Sequence, residues 1–232
     1  MSMQGRVLIV AGSDSGGGAG IQADIKTVTA LRGFAMTAVT ALTVQNTKGV
    51  FGVIGIEPAF IAGAMPVVVD PVMFAKGGHA LLEPEAMKAL RERLLPLASL
   101  VTPNIPEAEA LTGMTIKGVE DMASVAAALA GMGATAVLLK GGHLTGDMLS
   151  DILYVDGEIY RWDDARIDTP HTHGTGCTMA SAIATGLAQG MSMRDSVARS
   201  RAYVRTAILQ APGYGQGHGP LDHGHTVGKF TY

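Results

Sequence analysis

Three short stretches hold side chains whose types and spacing could do chemistry. The first, residues 11–24, reads "AGSDSGGGAGIQAD" directly after the apolar run at 7–10 and contains five glycines. A glycine costs roughly 1 kcal/mol relative to alanine in a helix interior, so this density marks backbone that must come close to something. In the helix that should follow, Asp24 falls inside the apolar stripe of Ile21, Ile25, Val28 and Leu31, so its carboxylate wants a ligand or a partner. The second stretch, "HTHGTGCTMASAIATGLA", sets Gly174, Thr175 and Gly176 just ahead of a run with good helix signals. Backbone N–H groups at such a start form an anion site, and the helix end adds about half a positive charge. Cys177 would stand in the first turn, where a thiolate is favoured. The third group sits at strand ends: "VVVDP" ends on Asp70, "VTPNIPE" offers Asn104 and Glu107, and "VLLKGGH" ends on Lys140. Two acids, an amide and a lysine placed this way can hold a hydrated Mg²⁺ and a polyphosphate.

Each group also has a duller reading. The glycine stretch lacks the Lys-Ser/Thr ending of a nucleotide P-loop. Its "GAGIQA" fits a loose dinucleotide pattern, yet no acidic residue lies between Lys26 and Glu57 to hold a ribose. Asp-Pro and Pro-Asn are common in turns, and "NIPE" has the form of a helix cap. A single cysteine is usually an inert core residue; the neighbouring glycines are what argue for a role. His171 and His173 alternate as on a strand or loop, but zinc would need further ligands, and His218, His223 and His225 are expected on a mobile tail.

The elements that must position these groups alternate along the chain. Strands are predicted at 7–10, 36–44, 50–56, 67–70, 100–102 and 136–139. Helices are predicted at 20–31, 83–95, 106–112, 119–131, 176–188 and 193–210. Near-continuous apolar strands such as "AVLL" indicate burial on both faces, as in a parallel sheet clad by helices. Strands at 152–155 and 158–162, joined by Asp156-Gly157, form a hairpin near a sheet edge. The 232 residues read as one α/β domain, with no linker or repeat. A net charge of −3 argues against nucleic-acid or anionic-membrane partners. One cysteine excludes an intrachain disulfide and fits a reducing compartment. The two long stretches without charge, 122–139 and 169–193, do not read as spanning helices, and "MSMQGR" enters a strand at once. A cytoplasmic location without a signal peptide is expected.

Taken in order, "AGSDSGGGAGIQADIKT", "TALTVQNT", "VVVDPVM", "TPNIPEAEALTG", "LLKGGH" and "HTHGTGCT" resemble the hydroxymethylpyrimidine/phosphomethylpyrimidine kinases of thiamine biosynthesis, within the ribokinase-like superfamily. The resemblance implies a central, mostly parallel sheet flanked by helices on both faces. It implies that ATP and Mg²⁺ phosphorylate first the hydroxymethyl group and then the monophosphate. Gly12 and Gly18 would then wall the pyrimidine pocket, with Asp24 and Gln45 on the aminopyrimidine edge. Gly174, Thr175 and Gly176 would receive the transferred phosphoryl group. Cys177, where relatives commonly place an aspartate base, would take up or orient the hydroxyl proton. Asp70 and Glu107 would serve the metal, and Lys140, Asn104 and His173 the nucleotide. A homodimer is implied as well.

One place departs from that pattern. Only "EPAFIAGAMP" separates the strands at 50–56 and 67–70, whereas a parallel crossover needs a dozen or more residues. The resemblance implies a helix and a further strand here, so a segment is expected to be missing between about Gly63 and Ala64. Pyridoxal kinase on the same scaffold, and a non-catalytic pyrimidine sensor, are the competing readings.

Overall fold

A computed structural model describes residues 5–55, 67–73 and 84–228; the Gly63–Ala64 junction and the expected helix start at Glu83 lie outside them. In chain order the elements are β1 (Arg6–Ser13), α1 (Gly20–Ala30), β2 (Phe34–Asn46), β3 (Gly49–Gly55), β4 (Val67–Val69), α2 (Pro84–Ala89), β5 (Ala98–Val101), α3 (Ile105–Thr112), α4 (Val119–Gly131), β6 (Ala136–Lys140), β7 (Met148–Val155), β8 (Glu158–Ala165), α5 (Thr175–Ala188) and α6 (Met193–Leu209). They fall into two compact units: Met1–Ala64 with Ile167–Tyr232, and Met65–Arg166.

In the first unit β1 pairs parallel with β2, and β2 pairs antiparallel with β3. Alternate β1 residues Val7 and Ile9 are buried against Val28 of α1, each burial contributing on the order of 2 kcal/mol. The intervening Leu8 and Val10 are 43% and 49% exposed, so the opposite face of β1 is left with large apolar side chains uncovered. Helices α1 and α5 both pack on β1, which puts the start of α5 beside the glycine stretch that leads into α1.

The second unit carries a five-stranded sheet in the order β4-β5-β6-β7-β8. Its first three strands are parallel, so their C-terminal ends lie together, and an antiparallel β7–β8 hairpin closes one edge. Both sheets are therefore mixed. All four residues of "AVLL" in β6 are completely buried, which is why that strand shows no polar alternation. The hairpin turn uses Asp156 and Gly157, both at positive φ, as a two-residue turn matching strand twist requires. The helix expected over 83–95 is short: after α2 the chain passes through a π-helical turn at Leu90–Leu94 and a 3₁₀ turn at Leu95–Leu97. Pro96 has no N–H to continue an α-helical ladder.

Candidate active site

In the first unit the glycine stretch folds around the carboxylate of Asp14. Oδ1 accepts the Gly16 N–H (2.8 Å), and Oδ2 accepts those of Gly18 (3.0 Å) and Ala19 (2.8 Å). Ser15 then ties the loop to the end of β2, its hydroxyl accepting the Gln45 N–H and donating to the Gln45 carbonyl. Lys26 closes the far side by donating to the Gly17 carbonyl (2.7 Å). Two glycines explain the density. A Cβ on Gly18 would lie 2.6 Å from the His173 ring, and one on Gly20, at φ +54°, would lie 2.3 Å from the Gly12 carbonyl oxygen. Gly12 itself has ordinary contacts. The organiser, Asp14, was not singled out in the sequence, although an Asp-Ser-Gly run is the local mark of such a turn.

Gly174 caps α5 at φ +86° with its Cα against the Gly18 carbonyl, where a Cβ would stand at 1.8 Å. The first intrahelical bond of α5 runs from the Thr178 N–H to the Gly174 carbonyl (2.9 Å), so the N–H groups of Thr175 and Gly176 precede the ladder. Cys177 is half-buried in that first turn. Asp24 is buried as its helical phase required, and its Oδ1 accepts the Ser181 hydroxyl of α5 (2.7 Å). The His173 ring lies between Asp14 and Gln45, in the glycine loop.

His223 corrects the expectation of a mobile tail. It is 4% exposed, with Nε2 3.0 Å from the Thr178 hydroxyl and its carbonyl accepting the Tyr203 hydroxyl. Burial first, and then the Lys26 charge, push its pKa down to about 4, so the ring is neutral.

The second unit gathers the third group at the ends of its parallel strands. Asp70 Oδ1 accepts from the Lys140 ammonium (2.8 Å) and the Thr102 hydroxyl (2.9 Å). Asn104 and Glu107 form the capping box of α3: the Asn104 side chain accepts the Glu107 N–H, and Glu107 accepts the Asn104 N–H (2.8 Å). Burial raises the Glu107 pKa, opposed by the Lys140 charge and reinforced by Asp70. Two carboxylates that repel across a shared lysine suit a divalent cation which keeps water and takes its other ligands from phosphate. Among the described residues no three His, Cys, Asp or Glu side chains form a closed cage. Burial, and then the Lys140 and Arg166 charges, push the His143 pKa below its ordinary value.

The phosphomethylpyrimidine kinase family model matches residues 14–65 and 61–222, and so takes in both groups of residues. The chain belongs to that family. It is 42% identical over 256 residues to the hydroxymethylpyrimidine/phosphomethylpyrimidine kinase of Rhizobium meliloti, covering 94% of this chain and 96% of that one. It is 48% identical to the thiamine biosynthesis bifunctional protein ThiED of Geobacter sulfurreducens over 95% of this chain, but spans only 52% of that longer relative. Two solved structures superpose well. The phosphomethylpyrimidine kinase of Clostridium difficile gives a TM-score of 0.75 at 38% identity, over 88% of this chain and 99% of that one. The pyridoxal kinase of Staphylococcus aureus in complex with AMP-PCP gives 0.85 at 31% identity, over 95% and 94%.

For a member of this kinase family, Asp24, Gln45, Gly174 and Cys177 lie in the first unit, and Asp70, Asn104, Glu107 and Lys140 in the second. The family match also breaks at 61–65, where the crossover had looked too short. Among the described residues no helix is long and apolar enough to cross a membrane.

Proposed function

We propose that this chain is an ATP-dependent kinase acting on 4-amino-5-hydroxymethyl-2-methylpyrimidine and then on its monophosphate, for thiamine biosynthesis. The observation that carries the reading is the start of α5 in a chain of this family. There a left-handed Gly174 presents the first N–H groups of a 14-residue helix, with Cys177 in the same turn. In this reading the glycine loop, with Gly12 and Gly18, walls the pyrimidine. Gln45 and Asp24 take the aminopyrimidine edge. Gly174, Thr175 and Gly176 stabilise charge on the phosphoryl oxygens, while Cys177 takes up or orients the hydroxyl proton. Lys140 and Asn104 meet the nucleotide phosphates; His173, with its ring in the glycine loop, joins the substrate side. Asp70 and Glu107 would hold Mg²⁺ through water, and the ion, when bound, neutralises phosphate charge. Positioning and charge stabilisation dominate phosphoryl transfer, so a weak base suffices. Both units belong to one kinase domain in this reading, working in the cytoplasm as a homodimer.

ADP release with Mg-ATP, compared across hydroxymethylpyrimidine, its monophosphate and pyridoxal, tests the proposal. Turnover of both pyrimidines is expected. Preference for pyridoxal, the reading that the likeness to pyridoxal kinase structures favours, would keep the chemistry and change the substrate. Binding without turnover would leave a sensor.

We also propose that a segment is missing between Gly63 and Ala64. About 218 of the 232 residues, 94%, are spread over an alignment 256 positions long with the Rhizobium relative, and Leu8 and Val10 are left uncovered on β1. An intact mass near 23.9 kDa for the protein isolated from its source would sink this idea.

A further inference from the structure

Asp14, His173 and Gln45 meet at one atom. Nε2 of His173 lies 3.1 Å from Oδ2 of Asp14 and 3.2 Å from the Nε2 end of the Gln45 amide. Despite burial, the Asp14 carboxyl is held below its ordinary range by His173 and by the N–H groups of Gly16 and Ala19, so it only accepts. Nε2 of His173 must therefore carry a proton directed at Asp14; an N–H cannot accept from a second N–H, but it can share its one proton with a carbonyl oxygen in a three-centre bond. The other end of the Gln45 amide makes the same demand. Its Oε1 position is 3.5 Å from the Thr43 hydroxyl, whose single proton already goes to the Ser13 carbonyl at 2.7 Å. A lone pair is thus turned to Gln45, which suits an NH₂ group there. Only such partners distinguish the two ends of an amide. The ring lies against Gly18, where even a Cβ would come within 2.6 Å of it.

We propose that Asp14 and His173 lock Gln45 with its carbonyl towards His173 and its NH₂ outward, so that Gln45 selects a ligand ring presenting an unprotonated nitrogen. His173 is a positioning residue that acts through Gln45. The choice of a pyrimidine as the ligand rests on the kinase reading; the orientation of the amide does not.

Nitrogen-15 NMR of histidine-labelled protein reads the tautomer in the unaltered chain, with His173 assigned by the signal lost in His173→Gln. An Nε2–H ring is expected, and an Nδ1–H ring would overturn the inference. Calorimetry with 4-amino-5-hydroxymethyl-2-methylpyrimidine gives the second arm. His173→Phe, which keeps the ring shape and removes the donor, should bind about tenfold more weakly, and His173→Gln should recover to within about threefold. Gln45→Glu keeps an acceptor for His173 but has no donor for the ligand, and should also bind about tenfold more weakly. Unchanged or tighter binding by Gln45→Glu would mean that the carbonyl faces the ligand, and the inference fails. If the unaltered chain binds no pyrimidine, the kinase reading fails, and the tautomer alone decides the orientation of Gln45.

Discussion

Acid should weaken the first unit through a single side chain. His223 is buried beside the Thr178 hydroxyl, and its pKa of about 4 lies well below the ordinary 6.5 because burial, and then the Lys26 charge, disfavour the imidazolium. Between those two values the unfolded chain binds a proton that the folded chain refuses. Stability from the neutral ring is therefore complete above about pH 6.5 and is lost as the pH falls towards 4. At ~1.4 kcal/mol per pH unit the whole interval is worth about 3 kcal/mol, and about 2 kcal/mol of it is gone at pH 5. The assay is urea unfolding followed by far-UV circular dichroism at pH 7.5 and pH 5.0, on the unaltered chain and on His223→Gln. Glutamine can still bond Thr178 but does not titrate, so groups elsewhere contribute equally to both proteins. The unaltered chain should lose about 2 kcal/mol more than the variant over that interval. Equal losses would refute the reasoning, because they would place the acid sensitivity elsewhere.

Gly174→Ala would drive a Cβ to 1.8 Å from the Gly18 carbonyl at φ +86°, so its unfolding free energy should fall by more than the ~1–2 kcal/mol of a left-handed residue alone, lowering the melting midpoint, with turnover near background. A midpoint close to that of the unaltered chain would mean that the contact relaxes. Cys177→Ala should lower kcat by about 100-fold with KM for the pyrimidine little changed, as a proton-handling group requires. A rise confined to KM would make the thiol a binding group instead. Lys140→Met removes the cation shared by Asp70 and Glu107, both partly or wholly buried, and should cost about 3 kcal/mol of stability while raising the KM for ATP. Unchanged unfolding in urea would show that the Thr102 hydroxyl alone satisfies Asp70.

Local pattern carried the architecture far. Helices α1, α3, α4, α5 and α6 begin and end within a residue of where apolar spacing and caps put them, and Asp156-Gly157 turns the hairpin as its residue types demand. Such signals are written in neighbours along the chain. Phase even showed that Asp24 points inward, but not that Ser181, 157 residues away, would meet it. His223 failed for the same reason: a histidine among glycines near the end of a chain reads as surface until α5, α6 and the tail fold onto one another around it.

The glycine stretch shows why the chemistry was less legible than the fold. Its composition announced a close approach, and a ligand was the natural guess for what approaches. In the structure much of that approach is internal, since Gly18 yields to the His173 ring and Gly174 packs on the Gly18 carbonyl. Two motifs separated by 150 residues therefore specify each other, and neither could be interpreted from its own spacing. This changes the expected penalty for mutation. A residue that merely lines a pocket can be exchanged with a loss limited to its own contact with the ligand. Gly18, Asp14, His173 and Gly174 share contacts, so their substitutions should be non-additive. Once Gly18→Ala has displaced the His173 ring, the contact between Asp14 and His173 is already broken, and replacing His173 as well should cost little more.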